Sequence, residues 1–194
     1  MIAYKGFSAD MTARMGRGRY KFEIGKTVTE DSAKCADTGF HCAEDPLDVL
    51  DYYRCDSDRY CIVKAEGDIH EDACGSRIAC TKITPVKEIS RKQLALHACD
   101  FMYRHPNRKC NTKVQREKGM ADNYFAIVRG KNPTAKGRKG TLLLLLKECD
   151  KTSEIQEISA WEVDGKEYKE NVYYDIAGKE AGHEEGNFEE TENA

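Results

Sequence analysis

Long apolar runs are missing from this chain. The two longest, Tyr124 to Val128 and Leu142 to Leu146, fall far short of the roughly 20 residues that a membrane-spanning helix needs. The N-terminus, MIAYKGFSAD, lacks the basic-then-apolar pattern of an export signal. These absences predict a soluble, unexported protein with no membrane partner. No P-loop, dinucleotide fingerprint, G-x-S-x-G or H-E-x-x-H occurs, so several common chemistries have no support. Tryptophan occurs once and proline four times in 194 residues. Yet 40% of the residues are apolar, enough to bury a core, which excludes wholesale disorder.

Cysteine is plentiful. The nine are Cys35, Cys42, Cys55, Cys61, Cys74, Cys80, Cys99, Cys110 and Cys149. An odd number without an export signal disfavours a disulfide framework. It leaves reduced thiols, several buried as small hydrophobes, or a metal site. The best local candidate is His97-x-Cys99-x5-His105-x4-Cys110. Tetrahedral zinc takes four such nitrogen and sulfur donors. His97 and Cys99 face different directions on a helix, so Cys99, His105 and Cys110 form the better set, with His97, Cys74 or Cys80 as the fourth ligand. Such a zinc would be structural and would pin the basic loop that follows. A second group, Cys35, His41 and Cys42, is a poor nucleophile–base pair, because adjacent residues of an extended chain point to opposite sides.

The net charge of −3 hides a pattern. Residues 101–140 carry 11 basic and 2 acidic groups, and residues 141–194 carry 5 basic and 15 acidic. This segregation predicts either attraction within the molecule or two differently charged faces. Arg104, Arg108, Lys109, Lys113, Arg116 and Lys118 are the candidate partner-binding residues. With Tyr103, Tyr124 and Phe125 nearby they also allow direct nucleic-acid binding, which the overall acidity opposes.

Patterning predicts an α+β fold: a short-stranded mixed sheet with two helices, followed by a β-rich C-terminal segment. Ile2 to Phe7, Tyr20 to Ile24, Arg59 to Glu66, Arg77 to Thr84 and Tyr124 to Arg129 read as strands. Asp45-Pro46 opens the first helix, and Ser90 caps the second, Arg91 to about Tyr103. Arg108 to Gly119 reads as a loop or extension and Gly130 to Gly140 as turn material. Leu142 to Leu146 fits a strand buried on both faces. Ile155 to Val163 and Tyr168 to Ile176 flank an Asp164-Gly165 hairpin signal. The boundaries are 1–120 for an N-terminal domain with a Cys/His-containing insert, 121–177 for the β-rich segment, and 178–194 for an acidic tail expected to be disordered.

The residues Tyr4-Lys5-Gly6-Phe7, Phe22-Glu23-Ile24-Gly25-Lys26, Cys35 with Gly39-Phe40-His41, Pro46-Leu47-Asp48-Val49, Tyr52-Tyr53 and Val63 to Ile69 carry a resemblance. Over about the first 90 residues the chain resembles a domain family of unknown function widespread in phages and prophages. Leu142 to Leu146, Val163-Asp164-Gly165 and Tyr173-Tyr174 look like that family's terminal segment. Ala43 stands where its cysteine is expected, one place after Cys42, and the insert His97 to Lys118 lies outside the shared pattern. The resemblance implies phage origin, the cytoplasm of a bacterial host and no established reaction. It leads to the expectation of a non-catalytic binding protein: a zinc-stabilised, anti-CRISPR-like inhibitor that contacts a large host defence effector such as a CRISPR nuclease. The alternatives are a nucleic-acid-binding accessory protein and an enzyme loosely similar to ADP-ribosyltransferases, with Tyr4, His41 and Glu66 as candidates. In that enzyme class a His or Arg occupies the first strand where Lys5 stands here.

Overall fold

The computed structural model describes residues 1–15, 18–72 and 75–181. Five strands form the first sheet: β1 (Ile2–Phe7), β4 (Val28–Thr29), β5 (Phe40–Ala43), β6 (Arg59–Glu71) and β7 (Arg77–Ile89). β2 (Thr12–Met15) and β3 (Gly18–Lys21) make a separate hairpin. Antiparallel pairings run β1–β6, β6–β7, β7–β5 and β5–β1, so the sheet closes on itself, with β4 added beside β7. Closure gives the ring an inside. Alternation along each strand turns Ala3 and Phe7 of β1, Phe40 and Cys42 of β5, Cys61, Val63 and Ala65 of β6, and Ile78, Cys80 and Ile83 of β7 into one core. The β5–β1 seam is the thinnest, with a single register pair, Tyr4 opposite Ala43.

Four strands form the second sheet: β8 (Val114–Met120), β9 (Phe125–Lys136), β10 (Leu142–Glu148) and β11 (Ile155–Glu162), in the order β11-β10-β9-β8. β8–β9 and β9–β10 are parallel, although only four and five residues separate the strands. A parallel pair ordinarily needs a crossover of a dozen or more residues. Here the strands bend instead, and the chain winds in short coils, the geometry of a small β-solenoid. The register offset is 13 residues at Val114–Ile127 and 16 at Lys118–Thr134. The step falls at Glu117, at a φ of 58°. Its carboxylate accepts from the backbone N–H groups of Lys131 (3.0 Å) and Asn132 (3.2 Å) and so holds the extra residues of β9.

The helix α1 (Arg91–Arg104) lies between the two sheets. Ser90 Oγ accepts from Gln93 N at 3.2 Å, and Ser90 N donates to the Gln93 side chain at 2.9 Å, a complete capping box. Leu94, Ala95, Ala98, Cys99 and Met102 pack against Tyr4, Ala43 and Ile89 of the ring and against Ile127, Leu144 and Leu146 of the second sheet. Leu143 and Leu145 face the other way, under Val163 and Tyr174. The leucine run is therefore buried on both faces, as expected. Among the described residues no helix is long and apolar enough to cross a membrane.

The α+β expectation is corrected: strands make up 47% and helix 11%, in several sheets with one long helix. The segment opened by Asp45 is a six-residue 3-10 helix, Pro46–Asp51. Its cap is as expected, with Leu47 N donating to Asp45 Oδ1 at 2.9 Å. β8 occupies part of the expected loop, and β9 runs on through the expected turn to Lys136. Tyr168 to Ile176 makes no return strand. Asp164 Oδ1 accepts from Lys166 N and Tyr168 N, a side-chain turn that sends the chain across the sheet. There Tyr174 bridges to Ala135 and is buried.

Candidate binding cleft around Lys5

Strand alternation places Lys5 between Ala3 and Phe7, on the inner side of β1. A lysine in a ring interior is expensive unless it is paired. Lys5 is 4% exposed. Its Nζ donates to the His41 carbonyl at 2.6 Å, across the thin β5–β1 seam. It lies 5.6 Å from the Phe7 ring centroid and 5.8 Å from that of Phe22, within cation–π range. Burial pushes its pKa down to about 8, opposed by the thiols of Cys42 and Cys80. An ammonium has three donors, and among the described residues a single acceptor, the His41 carbonyl, meets them.

The surrounding groups are fixed. His41 Nε2 accepts from Ala36 N at 2.8 Å while Nδ1 faces the Gly39 carbonyl at 3.2 Å, so the ring is a neutral Nδ1–H tautomer. Burial lowers its pKa, and Lys5 lowers it further. Cys42 and Cys80 share a hydrogen bond inside the ring, which together with burial pushes the Cys42 thiol up. Cys80 also reaches the Phe40 carbonyl.

Lys5 stands in the wall between two cavities. One, of about 700 Å³, is lined by Tyr20, Phe22 and Phe40. The other, of about 950 Å³, is a cleft lined by His41, Tyr52, Tyr53, Arg54 and Arg77. The carboxylates of the cleft are already engaged. Asp48 accepts from Ser76 Oγ (2.6 Å) and Asn111 Nδ2 (2.8 Å). Asp51 holds Lys113 (2.7 Å), Asp58 caps Cys55 N (2.8 Å), and Asp72 pairs with Arg77. Lys5 and Arg54 bond backbone carbonyls instead, those of His41 and Asp51. Among the described residues neither has a carboxylate within ion-pair distance, while Asp48 and Asp58 are held by neutral donors alone, so the cleft sets two cations without an ion pair beside two carboxylates without one.

The residues singled out from the sequence lie elsewhere. His97 Nδ1 meets Tyr4 Oη at 3.2 Å. Cys99 is buried on the inner face of α1, and burial pushes its thiol up to about 12. His105 ends the helix with its ring on Phe101, 4.6 Å between centroids. Cys110 Sγ accepts from Arg129 Nη1 at 3.3 Å. Cys80 is in the ring, and Cys74 lies outside the described residues. Among those described, no three His, Cys, Asp or Glu form a group that could hold a metal ion. The loop after α1 is held by Arg129. Its buried guanidinium donates to Glu148 (2.5 Å) and to the carbonyls of Pro106 and Ser153 (2.6 Å each).

Most of the basic middle is spent within the molecule. Arg104 pairs with Asp100, Arg108 with Glu44 (3.0 Å), Lys113 with Asp51, and Arg116 with Glu148 (2.6 Å). Lys118 sits 4.4 Å over the Tyr173 ring, and Lys109 is exposed. Cys35 bonds the His70 carbonyl of β6 at 3.0 Å and the Arg77 carbonyl of β7 at 3.7 Å. Glu66 pairs with Lys64 at 2.8 Å and does not line the cleft that Tyr4 and His41 share.

Residues 1–97, half of the chain, match the family model described as a domain of unknown function, DUF7666. No curated protein and no solved structure matches the chain.

Proposed function

The chain belongs to the DUF7666 family, and on that premise we propose that it is a non-catalytic binding protein that takes an acidic group of a protein partner into the cleft over Lys5. One observation carries the reading: Lys5 and Arg54 are the cleft cations without a carboxylate, while Asp51 and Asp72 pair with Lys113 and Arg77 and the oxygens of Asp48 and Asp58 accept from neutral groups of the chain. A carboxylate entering the cleft would give both cations the charge-assisted bonds they lack. The rim supports a protein partner, because Tyr52, Tyr53, Arg54 and Arg77 are of two of the three residue types enriched in binding hot spots. Tyr52 is 65% exposed.

The resemblance to phage and prophage proteins supports a phage origin. With it goes a partner among host defence effectors, in the manner of an anti-CRISPR protein. The six basic residues from the last residue of α1 to Lys118 are poorer candidates for the contact surface. Arg104, Arg108, Lys113 and Arg116 would each have to give up a carboxylate within the chain.

The test is capture of a partner on the tagged chain from nuclease-treated lysate of a defence-proficient bacterium. Arg54→Glu and Lys5→Met release the captured effector, whereas Lys109→Glu retains it. Retention by both cleft variants, or loss with Lys109→Glu alone, overturns the cleft assignment.

A further inference from the structure

Lys5 is 4% exposed, yet it lines two cavities large enough for a small molecule. Its side chain borders both cavities, its Nζ is oriented by the His41 carbonyl, and the rings of Phe7 and Phe22 flank it. We propose that Lys5 is a carbonyl-trapping site, which condenses with carboxylate-bearing aldehydes that enter through the cleft and holds them as imines. Buried lysines serve this chemistry because a poorly solvated ammonium gives up its proton readily. Among the described residues no carboxylate lies within ion-pair distance of Nζ to hold the charged form. The titratable groups that do face it are Cys42 on β5, Cys80 on β7 and the neutral His41. With the pKa of Lys5 near 8, about one molecule in ten carries the free amine at pH 7. For an ordinary lysine the figure is about one in three thousand.

The step balances without an oxidant or a reductant. The ammonium releases one proton to solvent. The nitrogen lone pair adds to the carbonyl carbon, the C=O π pair moves to oxygen, and one proton passes from the nitrogen to that oxygen, which gives a neutral carbinolamine. Loss of water forms the C=N bond, so the condensation releases one water in all. Arg54, the second uncompensated cation of the cleft, favours an aldehyde that also carries a carboxylate.

The folded chain is exposed at pH 7 to 4-formylbenzoate with cyanoborohydride, whose hydride fixes any imine as a secondary amine. The labelled lysines are then read by peptide mass spectrometry. Lys5 is expected to label at least about tenfold faster than exposed Lys109 in the folded chain, and at the same rate in guanidinium. Lys5→Arg abolishes the fast phase. Labelling of Lys5 no faster than Lys109 in the folded chain overturns the inference. The inference is separable from the binding proposal: a reactive Lys5 in a chain whose partner survives Arg54→Glu and Lys5→Met refutes the binding proposal alone.

Discussion

Replacing Lys5 with Met removes a charge from the ring interior and keeps most of the volume. Burial lowers the Lys5 pKa from 10.5 to about 8, a shift that corresponds to a cost of about 3 kcal/mol to the folded state at neutral pH. Against this, Lys5→Met gives up the bond to the His41 carbonyl and leaves that oxygen poorly satisfied, roughly 1–3 kcal/mol. The balance is a variant more stable than the wild type by about 1 kcal/mol at pH 7. Between pH 8 and 10.5 the unfolded lysine keeps a proton that the folded one has lost, so wild-type stability rises through this window and is flat in this contribution below it. The variant lacks the rise, and its advantage vanishes or reverses by about pH 10.5. Urea unfolding of both chains at pH 7 and pH 10 measures the difference directly, since other titrating groups are common to both. A variant clearly less stable at pH 7, or a difference that does not change with pH, refutes the picture of a strained interior ammonium.

Glu148→Ala strands the buried Arg129 guanidinium. It is expected to cost about 3–5 kcal/mol and to raise hydrogen exchange in residues 105–112 and 149–154, which Arg129 ties down. Burial raises the Asp45 pKa to about 6, so between about pH 4 and 6 the folded chain keeps a proton that the unfolded chain has lost. Wild-type stability therefore falls as pH rises through that window. Asp45→Asn, which still caps the 3-10 helix, lacks this fall, and denaturant midpoints at pH 4 and pH 7 check it.

Much of the scaffold was legible from local pattern. β1 spans the predicted residues, Ser90 caps the helix as its motif implies, and the leucine run is buried on both sides. What escaped was set by distant partners. β8 reads VQREKGM and buries only Val114 and Gly119, so no period of two marks it. Its strand state comes from stacking on β9. The solenoid coils were hidden for the same reason, because short parallel returns leave no helical crossover to recognise. Lys5 shows the limit most plainly. In AYKGF a lysine reads as the solvent side of a strand, and only closure of the ring puts it inside. The basic residues 101–140 were visible as a charge excess, but their partners Glu44, Asp51 and Glu148 lie far along the chain. His97, Cys99, His105 and Cys110 are near in sequence, yet the helix turns His97 toward Tyr4 and Cys99 into the core.

The most direct test of the Lys5 cleft is an NMR titration of the Lys5 side chain in the folded protein, with carbon-13 at the ε position and Lys5→Met for assignment. The account predicts a midpoint near 8, moving upward when benzoate, a simple carboxylate probe, is added. A midpoint near the ordinary 10.5, unmoved by benzoate, would contradict it.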